Sequence, residues 1–154
     1  MRLFSLRERQ RVPTSIAEAW AFFSNPRNLA KITPPSLGLT ITSEVPDTMY
    51  AGMIVTYYIR PFMGIPVKWV TEITHVNEPH LFIDEQRFGP YRFWHHQHHF
   101  EEVEGGVELK DIVHYALPVP IFAGLVNDLL VHKQVQEIFR FRRKRLEEMF
   151  GKIS

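Results

Sequence analysis

The segment FIDEQRFGPYRFWHHQHHF, residues 82–100, determines how the rest of the chain is interpreted. Gly89-Pro90 is a turn dipeptide flanked by aromatic and β-branched residues, which predicts two strands joined by a hairpin. Because alternate side chains of a strand share a face, one face of this hairpin combines aromatic and imidazole groups. The residues on that face are Phe82, Asp84, Gln86, Trp94, His96, His98 and Phe100. Large apolar groups with a few polar ones are typical of a small-molecule pocket.

The composition narrows the class of protein. A chain of 154 residues is long enough for one domain, here residues 1–154, with its own apolar core. The absence of cysteine excludes disulfides and thiolate-ligated metal centres. A net charge of +1 gives no reason to expect a nucleic-acid partner. No apolar run approaches the ~20 residues of a membrane span, and charges interrupt the start, so we expect a cytoplasmic protein without stable membrane insertion.

Most of the chain has the alternation of β-strands. Short connections rich in Gly, Pro, Asn and Asp separate these segments, which predicts that consecutive strands are antiparallel neighbours. The predicted strands are Leu3–Val12, Leu37–Glu44, Gly52–Arg60, Pro66–Val76, Leu81–Phe88, Tyr91–Glu101 and Gly106–Leu117. The same parity argument adds Trp69, Asp111 and Tyr115 to the inner face of the sheet.

Helices are predicted near both ends of the chain. Ser15 with Glu18 is a capping-box signature for a short helix that stops at Asn25-Pro26. Apolar residues at three- and four-residue steps from 121 to 150 predict a long amphipathic helix. Pro120, just before this run, can serve as the first residue of a helix. Weak helix formers at Gly124 and Asn127-Asp128 predict a kink or a separate first turn. The basic run of residues 140–145 is predicted to lie on the solvent face of this helix.

These elements form an α+β order in which one sheet covers one long helix. Several motifs resemble the helix-grip fold of the START-like (SRPBCC) superfamily, typified by the birch-pollen allergen. The motifs are Val12-Pro13 before Ala19-Trp20-Ala21-Phe22-Phe23, Asn28-Leu29 with Ile32-Thr33-Pro34-Pro35, Trp69-x-Thr71-Glu72-Ile73, the pattern from Asp84 to Phe100, and Asp111-x-Val113-x-Tyr115-x-Leu117-Pro118. More narrowly, they resemble a bacterial cyclase/dehydrase-like, ligand-binding subgroup.

The resemblance implies a curved antiparallel sheet of about seven strands around a C-terminal helix, with a cavity between them for a hydrophobic or aromatic small molecule. The resemblance names no ligand, because relatives include lipid carriers, receptors, polyketide cyclases and co-chaperones. The sequence leaves the oligomeric state open. The residues predicted to bind the ligand are Trp69, Asp84, Gln86, Trp94, His96, His98, Asp111 and Tyr115.

Other interpretations use the same residues. His96 or His98, oriented by a carboxylate, could move a proton in an aldol-type cyclisation and dehydration, as in the cyclases the chain resembles. Both histidines could instead ligate a metal with Asp84 or Asp111, but the sequence fixes no further ligand, so we predict no metal and no cofactor. A protein-protein adaptor of the co-chaperone type would require an exposed apolar groove. A His-Asp pairing is expected in every case, because a buried carboxylate without a partner is costly.

Overall fold

The computed structural model describes residues 1–119 and 121–153. In these residues the chain forms a curved sheet of seven strands and a long C-terminal helix, as predicted. The strands are β1 (Phe4–Val12), β2 (Thr40–Ile41), β3 (Ile54–Phe62), β4 (Ile65–Asn77), β5 (Leu81–Phe88), β6 (Phe93–Val103) and β7 (Gly106–Ala116). The helices are α1 (Ile16–Phe23), α2 (Ala123–Val126) and α3 (His132–Phe150), with short 3₁₀ turns at Pro26–Ile32 and Pro35–Leu37. The predicted role of Pro120 lies outside the described residues.

The sheet is antiparallel throughout, in the order β1-β7-β6-β5-β4-β3-β2. From β2 to β7 each strand pairs with its neighbour in sequence, as the short turns predicted. The first strand forms one edge of the sheet. It pairs with β7 along its whole length, from Phe4 opposite Tyr115 to Val12 opposite Val107. The registers of β5 with β6 and of β6 with β7 place the inner residues of β6 between those of β5 and β7.

The strand predicted at Leu37–Glu44 is mostly wrong. Only Thr40–Ile41 pairs with β3, and Pro35–Leu37 forms a 3₁₀ turn instead. The turn starts at a proline and ends at Gly38, whose φ of 56° lies in the left-handed region that glycine tolerates. A left-handed residue interrupts the extended backbone, so pairing cannot begin before Thr40.

The start of α1 shows half of the predicted capping box. The Ser15 hydroxyl accepts a hydrogen bond from the Glu18 amide at 3.1 Å, as an N-cap does. The Glu18 carboxylate does not return to Ser15 but accepts from the Thr14 hydroxyl. The helix then buries Trp20, whose ring packs edge-on against Phe82 and Phe100 of the sheet.

The C-terminal helix has its irregularity where the weak helix formers predicted one. Residues Asn127–Val131 form a π-helical turn between α2 and α3. The Tyr115 hydroxyl of β7 donates a hydrogen bond to the Asn127 side chain, which ties this turn to the sheet. Val131, Val135 and Phe139 then pack against the β7 side of the sheet, and Leu146 joins the core near Trp20.

Among the residues described, no helix has both the length and the apolar content that crossing a membrane requires.

Candidate functional site

A cavity of about 450 Å³ lies between the inner face of the sheet and the C-terminal helix. Strands β3 to β6 supply one wall, including Val55, Trp69 and Phe82, and the helix supplies the other, including Val135 and Ile138. The 3₁₀ turn after α1 closes one side with residues such as Ile32. Most of the lining is apolar, so the cavity favours an apolar occupant.

The cavity opens at the end of the molecule where β3 finishes and the C-terminal helix begins. Its strongly exposed lining residues are Phe62, Pro118, Val119 and Leu130. Gln134 holds this end together, because its side-chain amide donates to the Pro61 carbonyl at 2.7 Å. The deeper lining residues are buried or half-buried, so a small molecule that entered here would be transferred out of water.

The structure places five of the eight predicted ligand-binding residues in the cavity wall: Trp69, Asp84, Trp94, His96 and His98. Asp111 lies directly behind the wall, bonded to His96. Gln86 and Tyr115 are used elsewhere. The Gln86 amide donates to the Tyr91 carbonyl at 2.6 Å and accepts from its N–H at 3.0 Å, which stabilises the β5–β6 turn. Tyr115 is fully buried and bonded to Asn127.

Aromatic side chains form much of the wall near the β5–β6 turn. The Trp69 and Trp94 rings meet edge to face with centroids 5.4 Å apart. Tyr57 stacks on Trp69 at 5.8 Å, and Tyr91 contacts both indoles. Neither tyrosine was predicted to face the cavity, although Tyr57 has the same parity as Val55 and Ile59 on β3. Edge-to-face aromatic pairs are rigid contacts, so this part of the wall is preformed.

A polar cluster supplies the charged groups of this wall in the described structure. It consists of the lining residues Asp84, His96, His98 and Arg142, with Asp111 behind them. The strand register creates it, because Asp84 on β5 lies opposite His96 on β6, and His98 lies opposite Asp111 on β7. The hydrogen bonds run diagonally. His98 Nε2 lies 2.6 Å from Asp84 Oδ2, and His96 Nε2 lies 2.7 Å from Asp111 Oδ1.

Each imidazole is also close to the carboxylate opposite to it. His96 Nδ1 lies 3.8 Å from Asp84 Oδ2, and His98 Nδ1 lies 3.5 Å from Asp111 Oδ1. The two rings stack with centroids 3.7 Å apart, and Phe82 stacks on His98 at 4.0 Å. The histidines therefore have little rotational freedom, and the His-Asp pairing expected from burial is present.

The prediction that Arg142 lies on the solvent face of the C-terminal helix is wrong. Its neighbours Arg140, Arg143 and Lys144 are exposed as predicted, but only 8% of Arg142 is exposed and it lines the cavity. Its Nη1 atom lies 3.7 Å from Asp111 Oδ1. The spacing could have shown this, because Arg142 follows Phe139 by three residues and precedes Leu146 by four, which puts all three on one face of the helix.

The environment shifts the pKa values of three groups in the cluster. Burial opposes ionisation of Asp111, but the hydrogen bond from His96 and the charge of Arg142 outweigh it and lower its pKa to about 2. Burial also opposes ionisation of Asp84, yet the hydrogen bond from His98 lowers its pKa. Burial lowers the pKa of His98 to about 4, and repulsion from His96 adds to this shift. Near neutral pH both carboxylates are therefore ionised and His98 is neutral.

Three residues of the polar cluster are also the candidate metal ligands in the described part of the chain. One donor atom each from Asp84, His96 and His98 lies within 4.8 Å of the others. A nitrogen and an oxygen 2.6 Å apart, as in the His98–Asp84 contact, are at hydrogen-bond distance. A cation would have to displace this hydrogen bond, so the arrangement is that of a hydrogen-bonded network, and we assign no metal to it.

Comparison with known proteins identifies the fold. No protein-family model matches the chain, and no curated protein matches it significantly. Solved structures do resemble it. The protein TTHA0849 from Thermus thermophilus superimposes with a TM-score of 0.74 and 21% identity, over 94% of this chain and 95% of that one. Ara h 8.0201 gives a TM-score of 0.62 and 14% identity, over 96% of this chain and 99% of that one.

A third similar structure is a point mutant of norcoclaurine synthase from Thalictrum flavum in complex with a transition-state analogue. Its TM-score is 0.65, with 16% identity over 96% of each chain. These likenesses, together with the sheet order and the C-terminal helix, show that the chain has the helix-grip fold. At such low identity they establish the fold and leave activity to be argued from the site.

Proposed function

We propose that the protein binds a hydrophobic or aromatic small molecule in the cavity between the sheet and the C-terminal helix. The observation that carries this proposal is the cavity itself, whose volume of about 450 Å³ falls in the range of small-molecule sites. A void of this size would be unfavourable in an ordinary core, because it forfeits packing contacts. The preformed aromatic wall and the mouth at one end support the same function.

Filling the cavity tests this proposal. Ile138 lines the cavity from α3, so Ile138→Trp should place an indole inside it. We expect the affinity for N-phenyl-1-naphthylamine, a neutral dye that fluoresces in apolar surroundings, to fall roughly five- to a hundredfold, since overpacking costs about 1–3 kcal/mol. Fluorescence titration measures the dissociation constant.

Glu137→Trp provides the matched control, because Glu137 is the adjacent residue on the exposed side of the same helix. This variant should bind the dye as the unmodified protein does. If both tryptophan variants bound the dye equally well, the dye would be on the surface, and the cavity would not be the binding site.

A second function is favoured by one specific observation, the pair of His-Asp hydrogen bonds at the cavity wall. An ionised carboxylate can only accept, so each of these histidines donates through Nε2. Neutral His98 keeps a basic lone pair on Nδ1, the atom that lies 3.5 Å from Asp111 Oδ1. That nitrogen could take a proton from a bound substrate. The supported reaction class is a cyclisation and dehydration of a polyketide-like substrate, with His96 or His98 as the base.

Turnover separates the two functions. A cyclase should convert a poly-β-ketone mimic, and His96→Ala or His98→Ala should lower the rate by roughly 10²–10⁴, the usual contribution of a positioned base. Thermal unfolding must show that the variants remain folded. A protein that binds the mimic without converting it, in both unmodified and substituted forms, is a binder and not an enzyme of this class.

A further inference from the structure

Arg142 is unusually poorly paired for a buried cation. Only 8% of the residue is exposed. Its Nε atom is fully buried and unpartnered. The guanidinium has two other contacts, the Phe139 ring at 5.0 Å and the Asp111 carboxylate at 3.7 Å from Nη1. The latter distance is too long for a hydrogen bond.

Arginine normally uses its planar donors in paired hydrogen bonds to a carboxylate. Here the carboxylate within reach is already engaged, since Asp111 Oδ1 receives His96 Nε2 at 2.7 Å and has His98 Nδ1 at 3.5 Å. A buried donor without a partner is costly, and the charge of Asp111 leaves the Nε donor of Arg142 unsatisfied. An oxygen atom supplied by a ligand would satisfy it, because Arg142 lines the cavity.

The charge of the cluster selects the kind of oxygen. Two carboxylates, Asp84 and Asp111, face one guanidinium, and even with one imidazole protonated the cluster is only neutral. A cluster that is neutral or carries a net negative charge does not attract a further anion into a buried site. A neutral carbonyl oxygen accepts hydrogen bonds without adding negative charge. The apolar lining around the cluster requires that the rest of the ligand be hydrophobic.

We propose that Arg142 binds a neutral carbonyl oxygen, such as that of a ketone, ester or quinone, at the polar end of an otherwise apolar ligand. This inference rests on the proposed function, because it requires that a small molecule occupy the cavity. It adds the ligand's chemical class and the residue that recognises it. The ligand's body then extends from the cluster along the aromatic wall toward the mouth.

Three naphthalenes of similar shape test the inference by calorimetric titration: 2-acetylnaphthalene, 2-ethylnaphthalene and 2-naphthoate. A hydrogen bond to a charged donor contributes about 1.5–3 kcal/mol, so the ketone should bind roughly ten- to a hundredfold more tightly than the ethyl compound. The carboxylate should bind more weakly than the ketone at pH 7.5. In Arg142→Met the advantage of the ketone over the ethyl compound should disappear.

Arg140→Met is the matched control, because Arg140 is exposed on the same helix and should not affect any of the three affinities. If Arg142→Met does not fold, Arg142→Lys keeps the charge and loses the forked donor, and the ketone should lose most of its advantage over the ethyl compound in this variant. An undiminished advantage in a folded Arg142 variant would overturn the assignment of the carbonyl to Arg142. Equal binding of these two compounds would overturn the carbonyl inference and leave cavity binding intact. Binding of none of the three would overturn both.

Discussion

The Asp111→Ala variant is expected to lose about 3–5 kcal/mol of unfolding free energy, the largest effect of a single substitution in the polar cluster. The carboxylate is approached by His96 Nε2 at 2.7 Å, His98 Nδ1 at 3.5 Å and Arg142 Nη1 at 3.7 Å. Removing it leaves a buried guanidinium with no anion nearby except Asp84. Chemical denaturation at pH 7 measures the loss.

Asp111→Asn separates charge from shape. The amide keeps an oxygen in place for His96 but cancels the negative charge, so we expect a smaller loss than for alanine. Asp128→Ala is the control, because Asp128 is exposed on the π-helical turn and should change the stability by no more than about 0.5 kcal/mol. An alanine variant of Asp111 as stable as that control would show that the cluster does not depend on this carboxylate.

The second large effect is a loss of stability on acidification. Burial holds the pKa of His98 at about 4 in the folded protein, against an ordinary value of 6.5, so below pH 6.5 the unfolded chain takes up a proton that the folded protein excludes. Uptake by the unfolded chain alone favours unfolding. The contribution of His98 is therefore fully present above pH 6.5 and is lost as the pH falls to about 4. Its magnitude is on the order of 3 kcal/mol.

Asp111 acts in the same direction at lower pH. Its pKa falls from an ordinary value of 3.8 to about 2, so its contribution is present above pH 3.8 and is lost as the pH approaches 2. Urea denaturation between pH 7 and 4.5 isolates the histidine. The unmodified protein should lose more stability over this interval than His98→Asn does. An identical loss in both proteins would show that His98 does not exclude the proton.

The architecture was predictable because it depends on short-range patterns. Period-two alternation assigned the facing of β4 to β7 correctly, and turn residues gave the antiparallel order. The same parity brought Asp84, His96 and His98 to one surface, since facing along a strand survives small errors in strand ends. The resemblance to helix-grip proteins supplied what patterns do not, namely that the sheet curves around the terminal helix.

Two of the misplaced residues, Gln86 and Tyr115, are decided by a local or tertiary contact rather than by periodicity. Gln86 has the correct parity, but its amide folds back to the turn at Tyr91. Tyr115 points inward but is bonded to Asn127, under the helix. Arg142 was grouped with its basic neighbours, although its helical position is that of a buried residue. The volume of the cavity depends on how far the helix stands from the sheet, which no pattern reports.

The most direct measurement of the central claim is the nuclear Overhauser spectrum of the protein saturated with 2-acetylnaphthalene. A guest in the cavity must touch both walls at once, so the naphthalene protons should show cross-peaks to the Trp94 indole of the sheet and to the methyl groups of Val135 and Ile138 of the helix. Cross-peaks confined to exposed side chains such as Tyr50 and Met149, or none at saturation, would contradict binding between the sheet and the helix.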